Sequence, residues 1–441
     1  MIQQTRKNDA FIAAASWLIS PTYPIVPGGA ILVQDGIVGA LGKRDDLKKL
    51  YDVPVIEYPG CAILPGLINA HTHLELTHFP SWLLRTHVEY SPRRFVDWVI
   101  QLIKIKRGLE NIDFRKSLAE GVRICLESGT TAVGEIVSDF SMAPAYRATP
   151  LGGRLYFELL GHDPVRFQHL LEDAVTACQS DGPRYITSGL SPHSVYTIGE
   201  EHLHTIRRTA HAKQLPLVIH LSESKSEADF VFDSAGPLAQ ELYPFVGWER
   251  YLTAPRRCSS TELLERAGLL TADTLAVHCV HLTLGDAKIL KQHGVKVVIC
   301  PRSNELLDVG HAPVALFKSL GIPLALGTDS LASNNTLSLW DEIRFTLNSF
   351  SKELSPTDVF HMATVGGATA LGIEKAHGSL EPGKYANFQI LRLPGKAPAS
   401  GKLLENIIYE GVVDDVFVMG RQYASSKTDI IDMAASTEAL P

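Results

Sequence analysis

Between residues 64 and 327 the chain alternates short apolar runs with longer amphipathic segments, and this alternation restricts the fold more than any other feature. The runs are the stretch leading to His71, then Thr131–Ile136, Arg154–Leu159, Tyr185–Leu190, Leu217–Leu221, Thr274–Val280, Lys296–Cys300 and Leu324–Gly327. Each is strand-sized and apolar enough to be buried on both faces, as in a parallel sheet. Helical periodicity fills most intervals: Phe95–Lys106, Phe114–Glu127, Val165–Gln179, Glu200–Lys213, Ser260–Ala267, Gly285–His293 and Ala312–Leu320. Strands alternating with helices imply parallel βα units. Eight such strands predict an α/β fold, a (β/α)8 TIM-like barrel over residues 64–377.

The flanks read differently. Phe11–Leu18 has a strand pattern, and Ala30–Leu41 folds back at Asp35-Gly36, where glycine takes positive φ without penalty. Val53–Tyr58 and Cys61–Leu64 add short strands. Beyond the turn-rich Gly378–Lys384, the runs Phe388–Leu393, Ile407–Tyr409 and Val413–Met419 also read as strands. Residues 1–63 and 378–424 are therefore expected to form a small β-sandwich domain from both termini, with 425–441 a polar tail. Arg6 and Lys7 ahead of Ala10–Ile19 superficially resemble a signal peptide. The direct continuation into a further strand pattern favours a strand instead.

A net charge of −7 gives no global attraction to nucleic acid or to an anionic membrane. The cluster Arg93, Arg94, Lys104, Lys106 and Arg107 reads as the solvated face of a helix. No run approaches the ~18 apolar residues of a membrane span. Six scattered cysteines without a Cys-x-x-Cys pair argue against a thiolate metal site or a disulfide scaffold, and for a reducing cytoplasm.

In a (β/α)8 barrel the chemistry sits at the C-terminal ends of the strands. Leu64-Pro-Gly-Leu-Ile-Asn-Ala-His-Thr-His-Leu-Glu75 ends one strand with His71 and His73, which share a face because side chains alternate with period two. Two convergent imidazoles suit a divalent metal such as zinc. In isolation, an apolar strand carrying two surface histidines would look the same. The other strand ends make the difference: His193, then His220 and Glu223, then His278 and His281, then Asp329 each follow a predicted strand.

Pro65-Gly-Leu-Ile-Asn-Ala-His-Thr-His73, His220-Leu-Ser-Glu223, Val277-His-Cys-Val-His281 and Gly327-Thr-Asp-Ser330 together resemble the amidohydrolase superfamily, in its deaminase and chlorohydrolase branch. The likeness covers nearly the whole chain. Asn387, where relatives commonly carry aspartate, is a departure in the β domain. The resemblance implies one divalent metal on His71, His73, His220 and Asp329. Zinc is the default, and iron, manganese or nickel suit the same ligands. No carboxylated lysine is evident, which favours a mononuclear site. Glu223 is implied as the acid/base, taking a proton from the activated water and passing it to a ring nitrogen. His278 is implied to orient or polarise the hydroxide, Asp329 to accept a proton while holding the metal, and Ser330 and His281 to support these groups.

The branch acts on small N-heteroaromatic amines, displacing ammonia, or chloride in a few members. Ser191-Pro-His-Ser-Val-Tyr196 resembles a substrate-contacting segment of adenosine-type deaminases, through His193. Glu75 follows His73 on the same side, within reach of a ribose or an amino group. Trp82 and Phe79 are placed to cover an aromatic ring. Arg302 and Asn304 in Cys300-Pro-Arg-Ser-Asn304 read as substrate contacts or as loop braces. These motifs are most similar to aminodeoxyfutalosine deaminases of a menaquinone pathway, then to methylthioadenosine and S-adenosylhomocysteine deaminases. Guanine- or cytosine-type deamination, triazine dechlorination and a catalytically silent ligand-binding barrel are the alternatives. Barrels of this family are often dimers, so a homodimer is an expectation from the resemblance.

Overall fold

The computed structural model describes residues 10–85, 92, 94–393 and 402–424. Its strands, in chain order, are β1 (Phe11–Ser20), β2 (Tyr23–Pro27), β3 (Gly29–Gln34), β4 (Ile37–Lys43), β5 (Val55–Pro65), β6 (Leu67–Thr72), β7 (Thr130–Val137), β8 (Gly152–Leu159), β9 (Ile186–Pro192), β10 (Leu217–Leu221), β11 (Thr274–His278), β12 (Lys296–Ile299), β13 (Leu324–Leu326), β14 (Phe388–Arg392), β15 (Val412–Val418) and β16 (Arg421–Ala424). Strands β6 to β13 lie side by side in sequence order and pair parallel throughout. The ring closes where Thr72 bridges Asp329 and the Asp329 N–H donates to the His71 carbonyl at 3.1 Å.

The barrel interior is a packed plug, not a pore. Ile68, Ala132, Ile136, Tyr156, Val218, Leu275, Val277, Val298 and Ala325 fill it, and Ala368, Leu371 and Ile373 of a following helical segment join them. Residues of opposite parity, such as Leu155, Phe157, Leu190 and Ile219, pack outward in the larger shell beneath the helices. A bulge breaks this alternation in β6. From Asn69 to Thr72 that strand advances three residues, against two on β7 from Val133 to Glu135. A β-bulge adds one residue to one strand and re-aims the side chains beyond it. Ala70 belongs to the plug, and His71, immediately after it, joins the cluster at the barrel mouth.

The terminal strands build one mixed sheet in the order β16-β15-β14-β5-β1-β3-β4, with β2 also on β1. Both faces are apolar. Ala13, Ile31, Ile63, Phe388 and Phe417 cover one, and Ile12, Ala14, Leu32 and Leu47 the other. Only Gly66 separates β5 from β6. A Cβ on Gly66 would lie 2.2 Å from Thr131 Oγ1, so glycine is required where the chain passes from one sheet to the other.

Strand Ile407–Tyr409 is a correction: these residues lie in the helix Leu403–Glu410. Leu403, Ile407 and Ile408 are its buried positions, a helical spacing that a three-residue apolar run conceals. Ile407→Ala is expected to destabilise the protein by about 2–5 kcal/mol, read from a denaturant midpoint, through the cavity it leaves. Val53–Tyr58 and Cys61–Leu64 merge into the single strand β5, and Arg44–Leu50, with only Leu47 buried, is a helix without a periodic signal. Arg6, Lys7, Arg93 and the polar tail lie outside the described residues.

Candidate active site

At the C-terminal rim of the barrel, His71, His73 and Asp329 bring one ligand atom each within 4.8 Å of one another, and so do His71, His220 and His278. His71 Nε2 is 3.8 Å and His73 Nε2 3.7 Å from Asp329 Oδ1. Gly327 permits this closeness, because a Cβ there would approach His71 Cβ to 2.8 Å. The backbone is turned out of strand geometry at Ser222, His278, Cys279 and Asp329, all with φ between 51° and 69°. Left-handed conformations at non-glycine residues are costly and cluster at functional sites.

Neighbouring groups set each imidazole's tautomer. His220 Nδ1–H donates to the His193 carbonyl at 3.0 Å, and His278 Nδ1–H to Asn304 Oδ1 at 2.9 Å, so both Nε2 lone pairs face the cluster. Burial pushes His73 down to about 3, despite the opposing Asp329 charge. Burial and neighbouring histidines push His220 down to about 4, and burial with Lys106 does the same for His193. His71 is held well below the ordinary imidazole range by burial and by His220. All four are therefore neutral at pH 7. Burial acts to raise Asp329, but the surrounding imidazoles and the Ser303 hydroxyl outweigh it and keep the carboxyl below its usual range.

The donor set fits a divalent metal. His71 is fully buried with neither ring nitrogen bonded, and His278 Nε2 is equally without a partner. Buried polar atoms are rarely left so. Neutral imidazoles with a carboxylate are ligands of zinc and of its neighbours in the periodic table.

Glu223 lies between β10 and the helix Lys225–Asp233, with Oε1 3.6 Å from His278 Nε2. Burial pushes its carboxyl up to about 8; Asp329 and Glu227 add to the shift and His220 opposes it. The turn is held from beneath. Glu227 accepts the Ser222 N–H at 2.8 Å and the Glu223 N–H at 3.0 Å, and the Ser224 hydroxyl caps the helix by accepting the Glu227 N–H. On the other side of the site, buried Glu135 accepts hydrogen bonds from the Thr72 hydroxyl, the Leu74 N–H at 2.8 Å and the Tyr146 hydroxyl at 2.6 Å, which fixes the chain on either side of His73. Glu227→Gln puts an amide N–H₂ against those backbone donors. It is expected to lower turnover about 10–100-fold with metal retained, measured as kcat beside elemental content.

The remaining candidates divide. His193 Nδ1 meets the Ser194 and Thr197 hydroxyls, each at 3.1 Å, and its ring centroid lies 4.9 Å from that of His220. Glu75 is buried in the turn Leu74–Leu76 after His73. Trp82 packs with Leu76, Phe79 and Ile105 in a small cluster beside it. Arg302 is a brace: its guanidinium reaches Asn334 and Asn335 and lies over the Phe345 ring. Two expectations are corrected. Among the described residues Ser330 bonds no carboxylate; Asp329 Oδ2 accepts instead from Ser303 at 2.8 Å and Ser333 at 2.9 Å, while the Ser330 hydroxyl closes its own turn. His281 is exposed and donates to the Val309 carbonyl, because the left-handed residues at His278 and Cys279 lead the chain away from the site. Ser303, Ser333, Glu227 and Glu135 are not evident from sequence. Ser303 lies beside Asn304 in the Cys300–Asn304 motif and Ser333 within the run Gly327–Asn334, so a signal exists for those two. A separate cavity of about 470 Å³ lined by His162, Trp248 and Tyr251 includes none of the clustered residues.

The closed parallel barrel carries at its rim a cluster of neutral histidines and carboxylates, with oriented supports, that could hold a divalent metal. The amidohydrolase family model matches residues 62–423, and the chain belongs to the amidohydrolase family, as a hydrolase acting on C–N bonds. It is 31% identical over 415 residues, 90% of each chain, to a 5-methylthioadenosine/S-adenosylhomocysteine deaminase of Moorella thermoacetica. It is 29% identical over 356 residues to an aminodeoxyfutalosine deaminase of Deinococcus radiodurans, covering 78% of this chain and 82% of that one. The crystal structure of an adenosine deaminase from Xanthomonas campestris with bound zinc shares the fold, with a TM-score of 0.79 at 23% identity and 97% of each chain covered. No described helix is long and apolar enough to cross a membrane.

Proposed function

We propose that this chain is a metal-dependent hydrolytic deaminase of 6-aminopurine nucleosides. The carrying observation is Glu223: a buried carboxyl 3.6 Å from His278 Nε2, beside the clustered donors His71, His73, His220 and Asp329. In our reading His71, His73, His220 and Asp329 hold the metal, with zinc as the default. When bound, a divalent metal supplies the Lewis acidity that makes water a nucleophile at neutral pH. Glu223 takes a proton from the attacking water and delivers it to a ring nitrogen, where general acid–base transfer contributes most. His278, its Nδ1–H committed to Asn304, offers Nε2 as acceptor to the same water. Asp329 takes the remaining proton, which leaves with the amino group as ammonia. His193 lies beside His220 and contacts the base.

Aminodeoxyfutalosine, giving futalosine and ammonia, is the leading substrate; the Deinococcus relative and the Cys300–Asn304 motif support it. Methylthioadenosine, S-adenosylhomocysteine and adenosine come next, supported by the Moorella relative. The test offers these four, with guanine, cytosine and a chlorotriazine, to metal-loaded enzyme. Ammonia from a nucleoside is the expected result. Turnover of free bases alone would overturn the nucleoside reading, chloride release would replace deamination by dechlorination, and stoichiometric metal with no turnover would favour the silent barrel.

A further inference from the structure

The basic stretch closing the helix Phe95–Lys106 does not all face solvent. Arg94 pairs with Asp97 and Glu241, and Lys104 and Arg107 lie over the Phe245 ring. Lys106, read from sequence as part of that solvated face, turns inward: its Nζ is 3.4 Å from Glu75 Oε1 and 3.2 Å from Ser138 Oγ. Strand parity brings a second carboxylate to the same mouth. Tyr156 points into the barrel plug while Leu155 and Phe157 pack outward, so Glu158, two residues beyond Tyr156, also points inward at the rim. Ser191 on β9 pairs in register with Glu158, and its neighbour Leu190 packs outward, so Ser191 faces inward beside it. Burial raises the Glu158 carboxyl, and Lys106, the charge that faces it, acts against that rise.

Three of these groups keep open atoms. Glu75 Oε2 and Ser191 Oγ are buried without a hydrogen bond, and the Glu158 carboxylate, 9% exposed, makes none among the described residues. The reaction assigned above uses none of them. Ionised carboxylates only accept hydrogen bonds, so two of them with open oxygens call for a ligand that presents at least two donors. One lysine against two carboxyl groups, and already bonded to one of them, leaves no excess of positive charge, which disfavours an anionic group such as a phosphate and favours neutral hydroxyls. We propose that Glu158, with Glu75, Ser191 and Lys106, forms the subsite that reads the vicinal hydroxyls of the substrate's sugar. This rests on the nucleoside reading of the active site. Glu158 and Glu75 accept from the diol, Ser191 contributes a hydroxyl, and Lys106 positions Glu75.

The experiment compares kcat/KM of the metal-loaded enzyme for adenosine and 5′-methylthioadenosine with that for their 2′,3′-dideoxy analogues, in the native chain, Glu158→Ala and Glu158→Gln. Metal content and melting temperature are followed alongside. The native chain is expected to favour the ribonucleosides by about 100-fold, because a site built to bond hydroxyls rejects an analogue lacking them. That ratio should fall towards about 1 in Glu158→Ala and to an intermediate value in Glu158→Gln, which keeps the shape and one acceptor. An unaltered ratio in both variants, whatever the fall in absolute rate, assigns Glu158 a structural part and overturns the subsite. Equal native rates on ribo- and dideoxynucleosides overturn it as well, with deamination itself intact. No ammonia from any of these nucleosides overturns the nucleoside reading and the subsite together.

Discussion

Glu223→Gln is expected to bind metal as the native chain does, to melt at nearly the same temperature and to lose about 10²–10⁴-fold in kcat, the range a positioned general acid–base contributes. The substitution keeps volume and shape. The backbone of Glu223 is held by Glu227 through the Ser222 and Glu223 N–H groups, and those bonds do not involve the altered side chain. Burial is what gives the native carboxyl its value of about 8, and an amide in the same place is neutral at every pH and takes no proton. KM should move much less than kcat, because the lost interaction belongs to the transition state. A kcat within about threefold of native would remove Glu223 from the mechanism and leave His278 and Asp329 to carry the proton.

The elements read best from sequence are those whose ends carry their own chemistry. Ser260–Ala267 has the reciprocal capping box of Ser259 and Glu262, and Glu200–Lys213 stops where Gln214 turns left-handed. Leu217–Leu221 is apolar apart from His220 and is buried throughout. Arg44–Leu50 and Leu403–Glu410 are not legible, because a short helix that buries few residues leaves no period to detect. The same division holds in the site. His71, His73, His220, His278 and Asp329 each lie at the end of an apolar strand, so local pattern finds them. Glu135 and Ser303 act through bonds to groups distant in the chain, and Glu227 and Ser333 through turns that bring them back onto groups four or five residues earlier, so their function exists only in the folded geometry. His281 shows the converse: three residues from His278 in sequence, it is carried to the Val309 carbonyl by two left-handed residues that no pattern of apolar spacing announces. Lys106 shows that a charged residue on a helix face can belong to the interior when a buried carboxylate waits there.

His71→Ala and Asp329→Ala are expected to abolish stoichiometric metal and, with it, turnover. His71 is the common member of both ligand groupings, and its two nitrogens have no other partner, so its removal leaves neither set complete. Asp329 supplies the only carboxylate of those groupings. Its loss leaves the Ser303 and Ser333 hydroxyls without their acceptor and removes the negative charge that offsets a dication among neutral imidazoles. Each divalent ligand matters steeply, because a metal held by fewer groups competes poorly with water and buffer. Elemental analysis after dialysis against a weak chelator is the measurement, with His281→Ala as the comparison, since that exposed ring bonds only a backbone carbonyl among the described residues. Full metal in both His71→Ala and Asp329→Ala would refute the ligand assignment. Loss of metal in all three variants would instead mark the site as sensitive to any disturbance of the rim, because His281 lies outside the set of donors that the fold brings within 4.8 Å of one another.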